Sequence, residues 1–133
     1  MPQWTIKSVV DVRSGATQKT IVAQWFDSQT PSVQAAFLTR MKFLQALPYD
    51  GWDRPYVGQL RGKPSKGLYE IVITVGNVQH RPIGYFSAIM EFTIVAFATE
   101  RDGQLVPRTV CETSKLTIKR IAEGREKVRV ISF

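Results

Sequence analysis

Residues 67–86, GLYEIVITVGNVQHRPIGYF, decide how this chain is read. Two runs rich in Ile, Val, Tyr and Phe flank Gly76-Asn77, a pair suited to a two-residue turn between antiparallel strands. The pattern predicts one strand over residues 68–75 and a second over residues 78–86. The second arm carries His80, Arg81 and, four residues on, Tyr85. Strand alternation lets Arg81 and Tyr85 share a face, with His80 on the other unless Pro82 introduces a bulge. An arginine inside a strand either meets a carboxylate, with Glu70 across the hairpin as the candidate, or points into a concave face toward an anion. The sequence leaves both open.

Working outward, residues 92–97 read as a third strand, closed by the turn residues 100–103. Residues 108–123 read as a helix with Val110, Leu116, Ile118 and Ile121 apolar and Gly124 as its C-cap. Toward the N-terminus, Trp4, Ile6, Val10 and Val12 suit a half-buried strand over residues 4–13, followed by a Ser14-Gly15 turn. Thr17 is the candidate cap of a helix over residues 18–28. Thr30-Pro31 reads as an N-cap followed by proline at the first helical position. Val33, Phe37, Leu38, Met41, Leu44 and Leu47 then recur at helical spacing up to Pro48. Residues 48–66, with three prolines and three glycines, are expected to be irregular. The predicted architecture is a single α+β domain over residues 1–133. An N-terminal strand and a helical hairpin pack on an antiparallel β-sheet meander, followed by a C-terminal helix. The second face of the sheet is expected to be concave and open, and residues 125–133 to form an edge strand or a flexible tail.

Charge is the most informative feature of the composition. The 133 residues carry a formal net charge of +7, which favours anionic partners. Residues 54–66 hold Arg54, Arg61, Lys63 and Lys66 with no acid, and residues 115–129 are again strongly basic, whereas residues 67–114 are acidic on balance. Cations in a loop and near the C-terminus would flank a bound polyanion. With one Cys and one His, neither an internal disulfide nor a zinc centre is expected. No apolar run approaches the roughly 18 residues that span a bilayer, and the N-terminal residues lack the apolar core of a secretion signal. A reduced, cytoplasmic protein with no cofactor and no membrane partner is the expectation.

No phosphate-binding glycine loop, nucleophile elbow or HExxH site is present. Glu70, Glu91 and Glu112 are scattered, and nothing in the sequence joins Cys111 to His80; Cys111 reads as a small core residue. The chemistry left is one that runs on positive charge. Attack of a ribose 2′-hydroxyl on its phosphate needs an activated hydroxyl, a stabilised phosphorane charge and a protonated leaving oxygen. Arg81, His80 and Tyr85, with Lys63 and Lys66 before the sheet, are candidates. Tyr85 equally suits core packing, and Trp52 either stacks on a base or anchors the basic loop to the core.

From Gly51 to Ile121 the chain resembles the RelE/HigB superfamily of toxins, in its phage-derived HigB-like branch. Gly51, Pro55, Leu60, Gly62 and Gly67-Leu68-Tyr69-Glu70-Ile71 carry the resemblance, with His80-Arg81, Ile83, Tyr85-Phe86, Ala96-Phe97 and Pro107. The basic residue usual after the first strand motif is Val72 here. The basic pair ending the third strand is Thr99-Glu100, with Arg101 one step later. The resemblance implies a RelE-like, microbial-RNase-like fold and a type II toxin–antitoxin toxin, an mRNA interferase that cuts message on the ribosome. It implies mRNA and ribosome as partners and silencing by a small helix-turn-helix antitoxin. In that reading Arg81 holds the phosphate and Tyr85 or His80 moves protons. Arg54, Arg61, Lys63, Lys66, Arg101, Arg108, Lys119 and Arg120 hold RNA. The alternative is a catalytically degenerate relative that binds RNA or an antitoxin-like protein.

Overall fold

The computed structural model of the chain describes residues 3–11, 13 and 18–133. Val12, the Ser14-Gly15 turn and the Thr17 cap fall outside them. The described residues form an α+β structure of three helices and one eight-stranded sheet. No helix among them is long and apolar enough to cross a membrane.

β1 (Thr5–Val9) leads into helix α1 (Ile21–Asp27), which starts where the Thr20 side chain accepts the Ala23 N–H. Helix α2 (Pro31–Gln45) starts as its sequence predicts: the Thr30 hydroxyl oxygen accepts the Val33 N–H and Pro31 takes the first turn. Val33, Phe37, Met41 and Leu44 bury one stripe of α2 against the sheet. Each such side chain contributes about 1.5–3 kcal/mol by leaving water.

Residues 48–66 are more ordered than their prolines and glycines suggest. They contain 3-10 turns at Tyr49–Gly51 and Lys63–Ser65 and strand β2 (Val57–Gln59), which pairs with β3 (Tyr69–Ile71). The expected strand over residues 68–75 is broken at Val72, whose N–H turns to the Tyr56 carbonyl. β4 (Ile73–Val75) follows it. β5 (Val78–Ala88) and β6 (Glu91–Arg101) form a long ribbon, β7 (Gln104–Val106) returns along its end, and α3 spans Val110–Ala122. The tail supplies an edge strand, β8 (Val128–Val130), antiparallel to β1. The order is β2-β3-β5-β6-β1-β8, with β4 pairing β5 and β7 pairing β6. The sheet is therefore mixed, because β1 lies parallel to β6.

The ribbon carries a bulge that sets both faces. Gly84 pairs with Ile94 and Ile83 with Ala96, so Val95 is extra. A side chain at Gly84 would collide with the Thr93 carbonyl and the Phe92 ring, so only glycine permits this approach. Val95 and Ala96 thereby both lie on the α3 side, while Phe92, Ile94 and Phe97 pack in the core beneath α1 and α2.

The expectation of an open second sheet face needs correction. Leu68, Ile83, Ala98 and Val110 form a second buried cluster there, joined by Leu60, Ala96, Leu105, Cys111 and Ile118. The apolar stripe of α3 requires cover and takes it from this face, so the sheet has helices on both sides.

Candidate anion-binding groove

The basic loop is held in a fixed frame before its cations are considered. The Asp53 carbonyl accepts the N–H groups of Tyr56 and Val57, and the Asp53 side chain accepts that of Arg54 at 2.8 Å. Beyond β2, the Leu60 N–H reaches the Leu68 carbonyl and the Ser65 N–H reaches that of Gly62. Ser65 is buried, and its hydroxyl donates to the Cys111 sulfur of α3 at 2.8 Å, which ties the loop to the helix.

On this frame Arg54, Arg61, Lys63 and Lys66 line one groove of about 620 Å³ together with Asp53, Gln59, Leu60 and Gly62. The four cations are solvent-exposed. None of the ion pairs among the described residues involves Arg61, Lys63 or Lys66. Of the expected RNA-binding residues, the structure thus brings four together. Arg108 and Lys119 are exposed at the start and along the outside of α3. Arg101 is exposed at the β6–β7 turn, and Arg120 lines a different hollow with Asp11, Arg13 and Glu126.

Arg81 lies behind the groove. Its side chain is only 7% exposed, with Nε 3.4 Å from Glu70 and Nη2 3.7 Å from Glu100. It also donates to the His80 carbonyl and to the Gln79 side chain. Glu70 is 8% exposed and faces Arg54 as well, at 3.9 Å. Arg54 reaches it by lying flat over Gly58, whose missing side chain leaves the seat that the guanidinium fills. The result is a row of alternating charge, Arg54–Glu70–Arg81–Glu100. Burial pushes the Glu70 carboxyl above its usual range, against the opposing pull of Arg81 and Arg54.

The three expected catalytic residues do not form a site. Arg81 is neutralised by carboxylates, the outcome the hairpin register always allowed. His80 is buried on the opposite face, edge-on to Trp25 at 5.9 Å between ring centroids, and its Nε2 has no hydrogen-bond partner. Burial, reinforced by nearby Arg81, holds its imidazole below the usual range. Tyr85 is half-buried beside Thr93, and burial with the Glu91 charge raises its hydroxyl above the ordinary phenol range. No phosphate could touch all three.

The loop's aromatic residues resolve the question of Trp52. Its ring stacks on Trp4 at 4.4 Å, and its N–H donates to the Leu44 carbonyl at 2.9 Å. Trp52 is an anchor. Tyr56 meets Phe43 and the Arg40 guanidinium on the helical side. Sequence reading missed Gly58, Asp53 and the Ser65–Cys111 tie; the absence of a side chain at Gly58 three residues after Pro55 carried no charge signal to find it by.

No protein-family model, no curated protein and no solved structure matches this chain.

Proposed function

We propose that this domain binds nucleic acid through the groove of Arg54, Arg61, Lys63 and Lys66 and does not cut it. This is the second of the two roles that the RelE/HigB resemblance raises, a binding module on a related scaffold. The observation that carries it is the contrast in charge state: four exposed cations converge on one groove, while Arg81 is already ion-paired with Glu70 and Glu100. Cations that release counterions from a phosphate backbone bind it without any reactive group.

Cleavage by the expected residues would require Arg81 to leave two carboxylates. Breaking a buried pair of this kind costs about 3–5 kcal/mol. His80 would also have to cross the sheet.

Purified protein should retain RNA or DNA with an affinity that falls steeply as salt rises, leave the strands intact, and lose retention when all four groove cations become Ala. Expression in bacteria should leave growth and message intact. Growth arrest with cleavage of translated mRNA, relieved in a folded Arg81→Lys variant, would overturn this reading in favour of the toxin.

A further inference from the structure

We infer that the groove and helix α3 together grip the sugar-phosphate backbone of a double helix, independent of base sequence, an inference that rests on the nucleic-acid reading above. Two observations lead there.

The first is the division of the basic loop into two sides. Its aromatic residues Tyr49, Trp52 and Tyr56 line or enter the side facing Trp4 and α2, and none of the groove's lining residues is aromatic. Proteins that hold single strands without sequence preference draw much of their affinity from bases stacked on aromatic rings. This groove offers four cations and the Gln59 amide against one carboxylate, Asp53, whose oxygen accepts the Arg54 N–H, so contact with phosphate is what it provides. A surface of that kind responds to charge density, and a duplex presents one phosphate per roughly 1.7 Å of axis, about twice that of one strand.

The second observation is the junction between Ser65 and Cys111. It holds the first turn of α3 against the loop that carries Lys63 and Lys66. Lys115 follows Cys111 by one helical turn and Lys119 by two, both exposed, and Arg108 precedes the helix. None of the ion pairs among the described residues uses Arg108, Lys115 or Lys119. The rise of an α-helix carries this stripe about 12 Å from Cys111 to Lys119. A duplex arrives already ordered whereas a single strand has to be ordered on contact, so cations spaced along a folded helix favour the duplex.

Fluorescence anisotropy tests this with a labelled duplex of about 20 base pairs, a second duplex of unrelated sequence, either strand alone, and labelled poly-glutamate. The two duplexes should bind alike and roughly 10-fold or more tighter than the single strand. Raising salt from about 50 to 200 mM should weaken duplex binding by roughly 10²–10³-fold, as five or so phosphate contacts require. Lys115→Ala with Lys119→Ala should reduce the salt slope by about 1–2 without moving the melting temperature. Tighter binding of the single strand, or a slope unchanged in the lysine variant, overturns the duplex inference while leaving nucleic-acid binding in place. Binding of poly-glutamate comparable to duplex, or no binding to any nucleic acid, overturns both.

Discussion

Two arginines less than a hairpin apart in space, Arg54 and Arg81, share one carboxylate and have opposite uses. Arg54 is 59% exposed in its side chain and touches Glu70 at the outer limit of an ion pair; Arg81 is 7% exposed and closer to it. The outer guanidinium has water and room to trade Glu70 for a phosphate. The inner one has neither, and its charge is part of what holds β3, β5 and β6 together. Burial, more than position in a sequence motif, separates an arginine that binds from one that supports.

The sharpest way to break this comparison is to remove each side of it. Arg81→Ala should cost about 3–5 kcal/mol of unfolding free energy, because Glu70 is left buried beside an empty space. Chemical denaturation measures it, and a loss below about 1 kcal/mol would mean that Arg81 is not structural. Replacing Arg61, Lys63 and Lys66 by Ala should change stability by no more than about 0.5 kcal/mol per site, and adding Arg54→Ala should weaken nucleic-acid binding by about 100-fold in total at low salt. Smaller still is Gly58→Ala. Its methyl displaces only the flexible end of Arg54, so stability should move by less than about 0.5 kcal/mol. With Arg54 pushed off, the Glu70 carboxyl should titrate at higher pH, since Arg54 is one of the charges lowering it; carboxyl NMR reads the change.

The smallest effect concerns His80 on the other face. Its folded-state pKa is depressed, so the stability it contributes is full above the ordinary imidazole range and is lost as pH falls through its folded value. The melting temperature of the wild type should drop more than that of His80→Gln between neutral pH and about pH 5. Parallel curves would show that His80 is not held neutral.

Much of the helical layer was legible because its signals are local. Thr30-Pro31 starts α2 where the cap and the proline both favour it, and the apolar stripe at helical spacing ends near Pro48. The β4–β5 hairpin was legible from alternation and the Gly76-Asn77 turn, and β6 from its apolar run. β2 and β7 were not, since three residues are too few to show a period. The parallel placing of β1 beside β6 and the crossing of α3 over the second face depend on partners far away in the chain. The site divided in the same way. The groove cations were legible because they are close together in sequence with no acid among them. Arg81 read as a phosphate ligand because nothing in its own strand reports that α3 closes the face or that Glu100 completes its pairing.

The pinch at Gly84 has a mechanical consequence. Where two backbones come this near, the ribbon creases, and the crease separates the charged row around Arg81 from the hydroxyl-rich end formed by Ser87, Thr93 and Glu91. Ser87 bonds both neighbours there, and Lys7 ties Glu91 to β1 at 2.9 Å. Each end is thus braced by its own side chains, on either side of the bulge.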